Sequence, residues 1–206
     1  MLKKSDSIVL CISGPSGVGK GTVINSLLEK FPEFSLSISM TTRKPRGQEK
    51  DGVDYYFCEK EEFESLIAKK EIIEYDIYSN EYYGTPIGPI RESIKEKKDI
   101  ILDITLAGSL QIKKLIPQAV MVFLLPPNLY ELEKRLTERQ TESKEAIKAR
   151  MQHAKLEMVH ASKFEYTLIN NKINDTINCL EAIIVAEKCK YLRQEEFINE
   201  IIAQFQ

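Results

Sequence analysis

The residues Gly14-Pro15-Ser16-Gly17-Val18-Gly19-Lys20-Gly21-Thr22 carry the most explicit chemistry in this 206-residue chain. An apolar run of strand length, residues 8–12, breaks into them, and a helix-like stretch, residues 23–30, follows. Gly14, Gly17 and Gly19 let the backbone curl so that successive N–H groups point inward as a nest for phosphate oxygens. The N-terminus of the following helix adds partial positive charge, and Lys20 can reach β- and γ-phosphates. The spacing matches the phosphate loop G-x-x-x-x-G-K-[ST] except at its last position, where Gly21 stands and Thr22 follows one residue late. An ordinary glycine-rich connection is the alternative. Strand, loop, lysine and helix occur in the required order, so the stretch is expected to bind a nucleoside triphosphate.

Further candidate residues are spread along the chain. Ser39-Met40-Thr41-Thr42-Arg43-Lys44-Pro45-Arg46-Gly47 sets two arginines around Pro45, which restricts its own φ and biases Lys44 to an extended shape. Arg43 and Arg46 can grip one dianionic phosphate through planar donor forks, a job lysine does less well. A solvated basic loop explains the same cluster. Glu74, within Ile72-Ile73-Glu74-Tyr75-Asp76, reads either as the exposed face of an alternating strand or as a functional carboxylate. Tyr82-Tyr83-Gly84-Thr85 reads as an aromatic hairpin, yet Tyr55, Tyr83 and Thr85 supply hydroxyls in the same region as the arginine pair. Asp103 ends a buried apolar run, at the edge where open α/β sheets bind ligands. Arg135 and Arg139, spaced i, i+4, can share one helix face, and Arg150 follows a break at 140–143 of the kind a mobile lid needs. Solvated arginines on a charged helix are the alternative for each taken singly.

The elements that must position these residues follow from periodicity. Apolar runs at 8–12, 100–104, 120–125 and 166–169 alternate with periodic segments, as in a parallel sheet wrapped by helices, an α/β fold. Residues 39–90 differ in texture. Asp51-Gly52 offers a turn before the alternating Val53, Tyr55 and Phe57; residues 60–70 read as a short helix; 72–75 and 81–85 look extended. This is a small mixed lobe inserted into the core. Asn128 is a plausible cap for a long charged helical region, 128–161. The tail from Thr176, through Ile177, Leu180, Ile184, Tyr191, Phe197, Ile201 and Phe205, reads as core packing, with a dimer contact as the alternative and the choice between monomer and homo-oligomer left open.

Composition bounds the function. A net charge of −2 argues against non-specific nucleic-acid binding, and no apolar run approaches transmembrane length. The first 13 residues are too short and wrongly bordered for a signal peptide. Cys11, Cys58, Cys179 and Cys189 form no CxxC pair, so reduced thiols in the cytoplasm are expected, with Cys11 as a buried apolar residue. His153 and His160 read as helix-surface residues rather than metal ligands.

Taken together, 14–22, 39–46, Asp54-Tyr55-Tyr56-Phe57, Ile73-Glu74, Tyr82-Tyr83-Gly84, Leu102-Asp103-Ile104, Leu124-Leu125-Pro126-Pro127 and the later arginines resemble the guanylate kinase family over nearly the full length. The resemblance implies a P-loop nucleoside monophosphate kinase fold: a parallel core sheet flanked by helices (1–38, 91–127 and 162–206), a mixed α/β GMP-binding lobe (39–90) and a helical lid (128–161). It implies the reaction ATP + GMP = ADP + GDP, in purine nucleotide metabolism. Residues 14–22 and Asn170 would hold ATP. Arg43, Arg46, Tyr55 and Tyr83 would hold the GMP phosphate, while Ser39, Glu74 and Thr85 read the base. Lys20, Arg43, Arg135, Arg139, Arg150 and Asp103 would serve the transfer, with Mg²⁺ held by ATP phosphates and water and Asp103 nearby.

Base chemistry agrees with that carry-over. Guanine presents N1–H and a 2-amino group side by side, so one carboxylate can accept from both, whereas adenine offers an unprotonated N1. Some positions depart from the family pattern. Thr105 and Ala107 stand where a second acid and often a glutamine occur, and Asn171 stands where an aspartate is usual. Two other readings remain: a guanylate-kinase-like module that binds phosphorylated peptides, and a kinase for another phosphate ester such as a phosphorylated ribose. Retention of Gly14, Gly19 and Lys20 disfavours the first. Glu74 beside the 39–46 segment disfavours the second.

Overall fold

The computed structural model describes residues 7–78, 80–138 and 144–205. Five strands, β1 (Val9–Ser13), β2 (Ser35–Ser37), β7 (Ile100–Asp103), β8 (Val120–Leu125) and β9 (Tyr166–Ile169), form a parallel sheet in the order β2-β7-β1-β8-β9. β1 lies in the middle and is buried along its whole length, because helices cover both faces of a parallel sheet. On one face Leu10 and Ile12 pack with Val23, Ile24 and Leu27 of α1 (Lys20–Lys30) and with Ile177, Leu180 and Ile184 of α7 (Ile173–Lys188). On the other, Val9, Cys11 and Leu102 meet Ile90 of α3 (Ile87–Lys95) and Ile112 of α4 (Leu106–Leu115). Each such aliphatic side chain, fully buried, contributes on the order of 2 kcal/mol. Cys11 is a buried core residue, and burial pushes its thiol pKa up.

The four strands expected from apolar runs are present to within one residue. β2 is not among those runs. Ser35-Leu36-Ser37 carries one apolar side chain, enough for an edge strand paired on one side only, with β7.

A second sheet, ordered β4-β3-β6-β5, comprises β3 (Met40–Thr41), β4 (Tyr56–Phe57), β5 (Ile72–Tyr78) and β6 (Glu81–Pro86). β5 and β6 make an antiparallel hairpin, and α2 (Lys60–Ala68) buries Phe63 against it, stacked on Tyr82. The alternation at 53–57 yields only a two-residue strand. Val53 is exposed, and Gly52 sits in the expected turn with φ 70°. The register of β5 slips between Ile72 and Glu74, so Ile73 is an extra residue in the ladder. Strict alternation would send neighbours to opposite faces; the bulge buries both Ile73 and Glu74.

Asn128 caps α5 (Leu129–Thr137) by accepting the Glu131 N–H at 2.8 Å. Leu132 and Leu136 of α5 then pack on Ala154 of α6 (Lys144–Met158). The expected break at 140–143 lies outside the described residues.

The tail corrects an expectation. Ile177, Leu180 and Ile184 are core residues, but Tyr191, Phe197, Ile201 and Phe205 are exposed. Tyr191, Phe197 and Ile201 lie on a separate helix, α8 (Tyr191–Ala203), of which only Arg193 is buried, and Phe205 follows its end. That arginine pins the helix to the amino edge of the sheet by donating to the carbonyls of Ser7 and Gln118, both at 2.8 Å. Arg193→Ala removes both charge-assisted donors and is expected to cost about 2 kcal/mol. For a domain of this size that lowers Tm by about 6 °C, measurable by thermal unfolding.

Candidate active site

At the carboxyl edge of the sheet the chain leaves β1 and turns through residues 14–19 into α1. Gly17 and Gly19 have φ of 85° and 98°, the left-handed region that disfavours any side chain. Space forbids one too: a Cβ at Gly17 would lie 2.7 Å from Leu136 Cδ2, and one at Gly19 2.8 Å from Asn170 Nδ2. Among the described residues no side chain caps α1, so its first-turn N–H groups remain available to an anion. They border a cavity of about 300 Å³ lined by the loop, by Lys20, Gly21 and Thr22, and by Asp103.

Three side chains brace this cradle. Lys20 Nζ donates to the Gly14 carbonyl at 2.9 Å. The Val18 carbonyl accepts from Asn170 Nδ2 at 2.8 Å and from Arg135 Nη1 at 3.1 Å. Asn170 is held in turn by the Thr176 hydroxyl, which donates to its Oδ1 at 3.0 Å. Burial raises the pKa of Asp103, and the charge of Lys20 opposes that rise. Glu157, reaching in from α6, follows the same pattern: burial pushes its pKa up, while His153 and Lys20 act against it. Lys20 therefore stands in the field of two acids from different elements.

The second pole lies in the inserted lobe. Arg43 is buried. Its Nη1 and Nη2 donate to the two carboxylate oxygens of Glu49 at 2.8 and 3.0 Å, and Nη1 also donates to the Lys44 carbonyl. The guanidinium lies 5.2 Å from the Tyr55 ring centroid and 5.8 Å from that of Phe57. Hydrogen bonding to Glu49 raises its pKa, with Tyr83 contributing. Arg46 is exposed, and its backbone N–H donates to the same Glu49 at 2.8 Å. Tyr55 and Tyr83 meet edge to face at 6.1 Å. Burial raises the Tyr55 pKa, and the charge of Asp103 adds to it, so the lobe and the cradle share one electrostatic field.

Glu74 is 4% exposed. The Thr85 hydroxyl donates to its Oε1 at 2.5 Å, and Oε2 lies over the first turn of α4, where a Cβ on Gly108 would come within 2.1 Å. Burial pushes the Glu74 pKa up to about 7; Asp76 adds to the rise and the Thr85 hydroxyl opposes it. Ser39 precedes β3, and its carbonyl accepts the Tyr56 N–H at 2.9 Å. Arg150 lies on α6, and Arg139 falls outside the described residues. A larger cavity, about 420 Å³, opens at the opposite edge of the sheet. Most of its charges are already committed: Asp99 to Lys188 at 2.7 Å, Lys97 to Glu196 at 3.4 Å, and Arg193 to backbone.

This arrangement has counterparts among known proteins. The family model for guanylate kinase matches residues 6–187. The chain belongs to the guanylate kinase family. It is 40% identical over 201 residues to the guanylate kinase of Halalkalibacterium halodurans, with 98% of each chain covered. Against that of Desulfitobacterium hafniense it is 38% identical over 193 residues, covering 94% of this chain and 96% of the relative. The crystal structure of guanylate kinase from Anaplasma phagocytophilum superposes with a TM-score of 0.77 at 30% identity, covering 93% of this chain and 91% of that one.

Three residues that the sequence reading passed over bear on the site: Glu49, Gly108 and Glu157. Glu49 was signalled only by an acid three residues after Arg46; the other two left no local pattern. The Glu74 environment carries a stability consequence. Between its ordinary value of 4.5 and about 7 the folded chain holds more protons at this site than the unfolded chain, so stability is lost as pH rises through that window. Glu74→Gln cannot ionise. It is expected to be the more stable protein above pH 7, by on the order of 3 kcal/mol, with the difference closing towards pH 4.5. Urea unfolding at the two pH values measures it.

Proposed function

We propose that residues 14–22 cradle the phosphates of ATP, that the lobe holds GMP, and that phosphoryl transfer between them is direct, yielding ADP and GDP. The observation that carries this reading is the convergence of two anion sites on one field: the amide cradle with Lys20 on one side, Arg43 with Tyr55 and Tyr83 on the other, and Asp103 between them electrically. An oxygen of the GMP phosphate attacks the γ-phosphorus of ATP as the bond from that phosphorus to the β–γ bridging oxygen breaks. Phosphoryl transfer asks for alignment and charge neutralisation, not for a covalent intermediate on the protein.

The chain's residues divide that work. First-turn amides of α1 and Lys20 bind the β- and γ-phosphates, and Arg135 and Asn170 keep the loop in shape through Val18. Arg43, held by Glu49, and Arg46 fix the acceptor phosphate, with the Tyr55 and Tyr83 hydroxyls completing its hydrogen bonds. Arg139 and Arg150 neutralise the charge spreading over the transferred group. Asp103 and the Thr22 hydroxyl are hard oxygen donors beside the cradle, which fits Mg²⁺ held mainly by ATP phosphates and water. When bound, such an ion neutralises phosphate charge. Residues 39–90 act as the acceptor lobe, 128–161 as the lid and the remainder as the core. Four free cysteines fit a reducing cytoplasm.

Glu74, with Thr85 and Ser39 beside the acceptor pocket, selects the base. Its carboxylate accepts from guanine N1–H and the 2-amino group, and faces adenine N1 lone pair to lone pair. Sites built on such hydrogen bonds discriminate by ~10⁴-fold or more. ADP release measured with GMP, AMP, dTMP and UMP as acceptors tests the reading. GMP is expected to be preferred by a wide margin, and Glu74→Gln to lower kcat/KM for GMP at least ~100-fold while narrowing the preference over AMP. Unchanged GMP kinetics in that variant would overturn the assignment.

A further inference from the structure

Gly108 occupies the first turn of α4, a place where glycine weakens a helix relative to alanine. Backbone geometry does not demand it, since its φ is not in the left-handed region. What demands it is the neighbour. A Cβ there would lie 2.1 Å from Glu74 Oε2 and 2.7 Å from Glu74 Cδ. A buried carboxylate rigidly held on its other oxygen by Thr85 cannot swing aside as the end of a free chain would. Gly88, on α3, gives the contrast, with nothing within 4 Å of its Cβ position.

The rest of the turn suits this seat. Thr105 caps α4 by accepting the Gly108 N–H at 3.1 Å, and no acid stands in the first turn. The partial positive charge of the helix start therefore faces a single carboxylate, with no competing anion from its own turn. Among the described residues Oε2 accepts no hydrogen bond, so its lone pairs remain for a ligand.

We infer that Gly108 is a positioning residue for base selection: its missing side chain makes the seat that aims the Glu74 carboxylate at the guanine edge. This rests on the assignment of Glu74 to the base, and a double-mutant cycle separates the two. Gly108→Ala is expected to raise KM for GMP at least tenfold and to narrow the GMP-over-AMP preference. KM for ATP should stay within twofold, and Gly88→Ala should change neither constant. In a Glu74→Ala background, Gly108→Ala should add nothing to the GMP defect, because no carboxylate remains to be displaced.

Unchanged GMP KM in Gly108→Ala overturns the inference, as does an equal further loss in the Glu74→Ala background. If Gly108→Ala alone does not fold, recovery of folding in the double variant supports the clash with Glu74, and no recovery overturns it. Should Glu74→Ala by itself leave the GMP KM unaltered, the base assignment fails and this inference with it.

Discussion

One carbonyl oxygen, that of Val18, holds the active edge of this molecule together. It lies between two glycines in left-handed conformation, where the backbone has no hydrogen-bond ladder of its own. Asn170, arriving just after the last strand of the sheet, donates to it, and so does Arg135 from α5. Arg135 also donates to the Asn170 carbonyl at 3.1 Å, closing a triangle between three distant parts of the chain. A loop built for phosphate turns its amides towards the ligand and leaves its carbonyls facing the protein. Those carbonyls need donors, and charged donors hold best. The cradle is braced from its far side through Val18.

Charge elsewhere in the site follows two different rules. The buried Arg43 is paired before any substrate arrives, its fork occupied by Glu49 and its face by Tyr55, so it neither collapses nor wanders. Lys20 is held by a backbone carbonyl within the field of Asp103 and Glu157. Glu74 is the exception. Among the described residues it accepts from a hydroxyl and pairs with no cation, and burial raises its pKa. A buried carboxylate compensated by one hydroxyl costs the fold stability once it ionises.

The core and the cradle were legible because their signals are local. Apolar runs of strand length marked β1, β7, β8 and β9, and glycine spacing with Lys20 marked the turn into α1. β2 escaped because its two serines mask a strand that needs one covered side. The tail was misread for the opposite reason. Phe197, Ile201 and Phe205 keep helical spacing, but periodicity does not say whether a partner surface exists, and α8 is fastened by a polar residue, Arg193. In the site, Arg43, Arg46 and Lys20 announced themselves by type. Glu49, Gly108 and Glu157 did not, since their meaning depends on which elements come into contact.

The bulge in β5 shows how a carboxylate can be turned into the interior without any special residue. Ile72, Ile73 and Glu74 are ordinary strand residues, and what decides their fate is a count. With an odd residue slipped into the ladder, the carboxylate turns inward beside a core isoleucine; with an even count it would look out at solvent. The inward placement of the carboxylate is thus written in the parity of a strand. A single-codon insertion or deletion there can erase or create it while every side chain of the pocket stays in the gene.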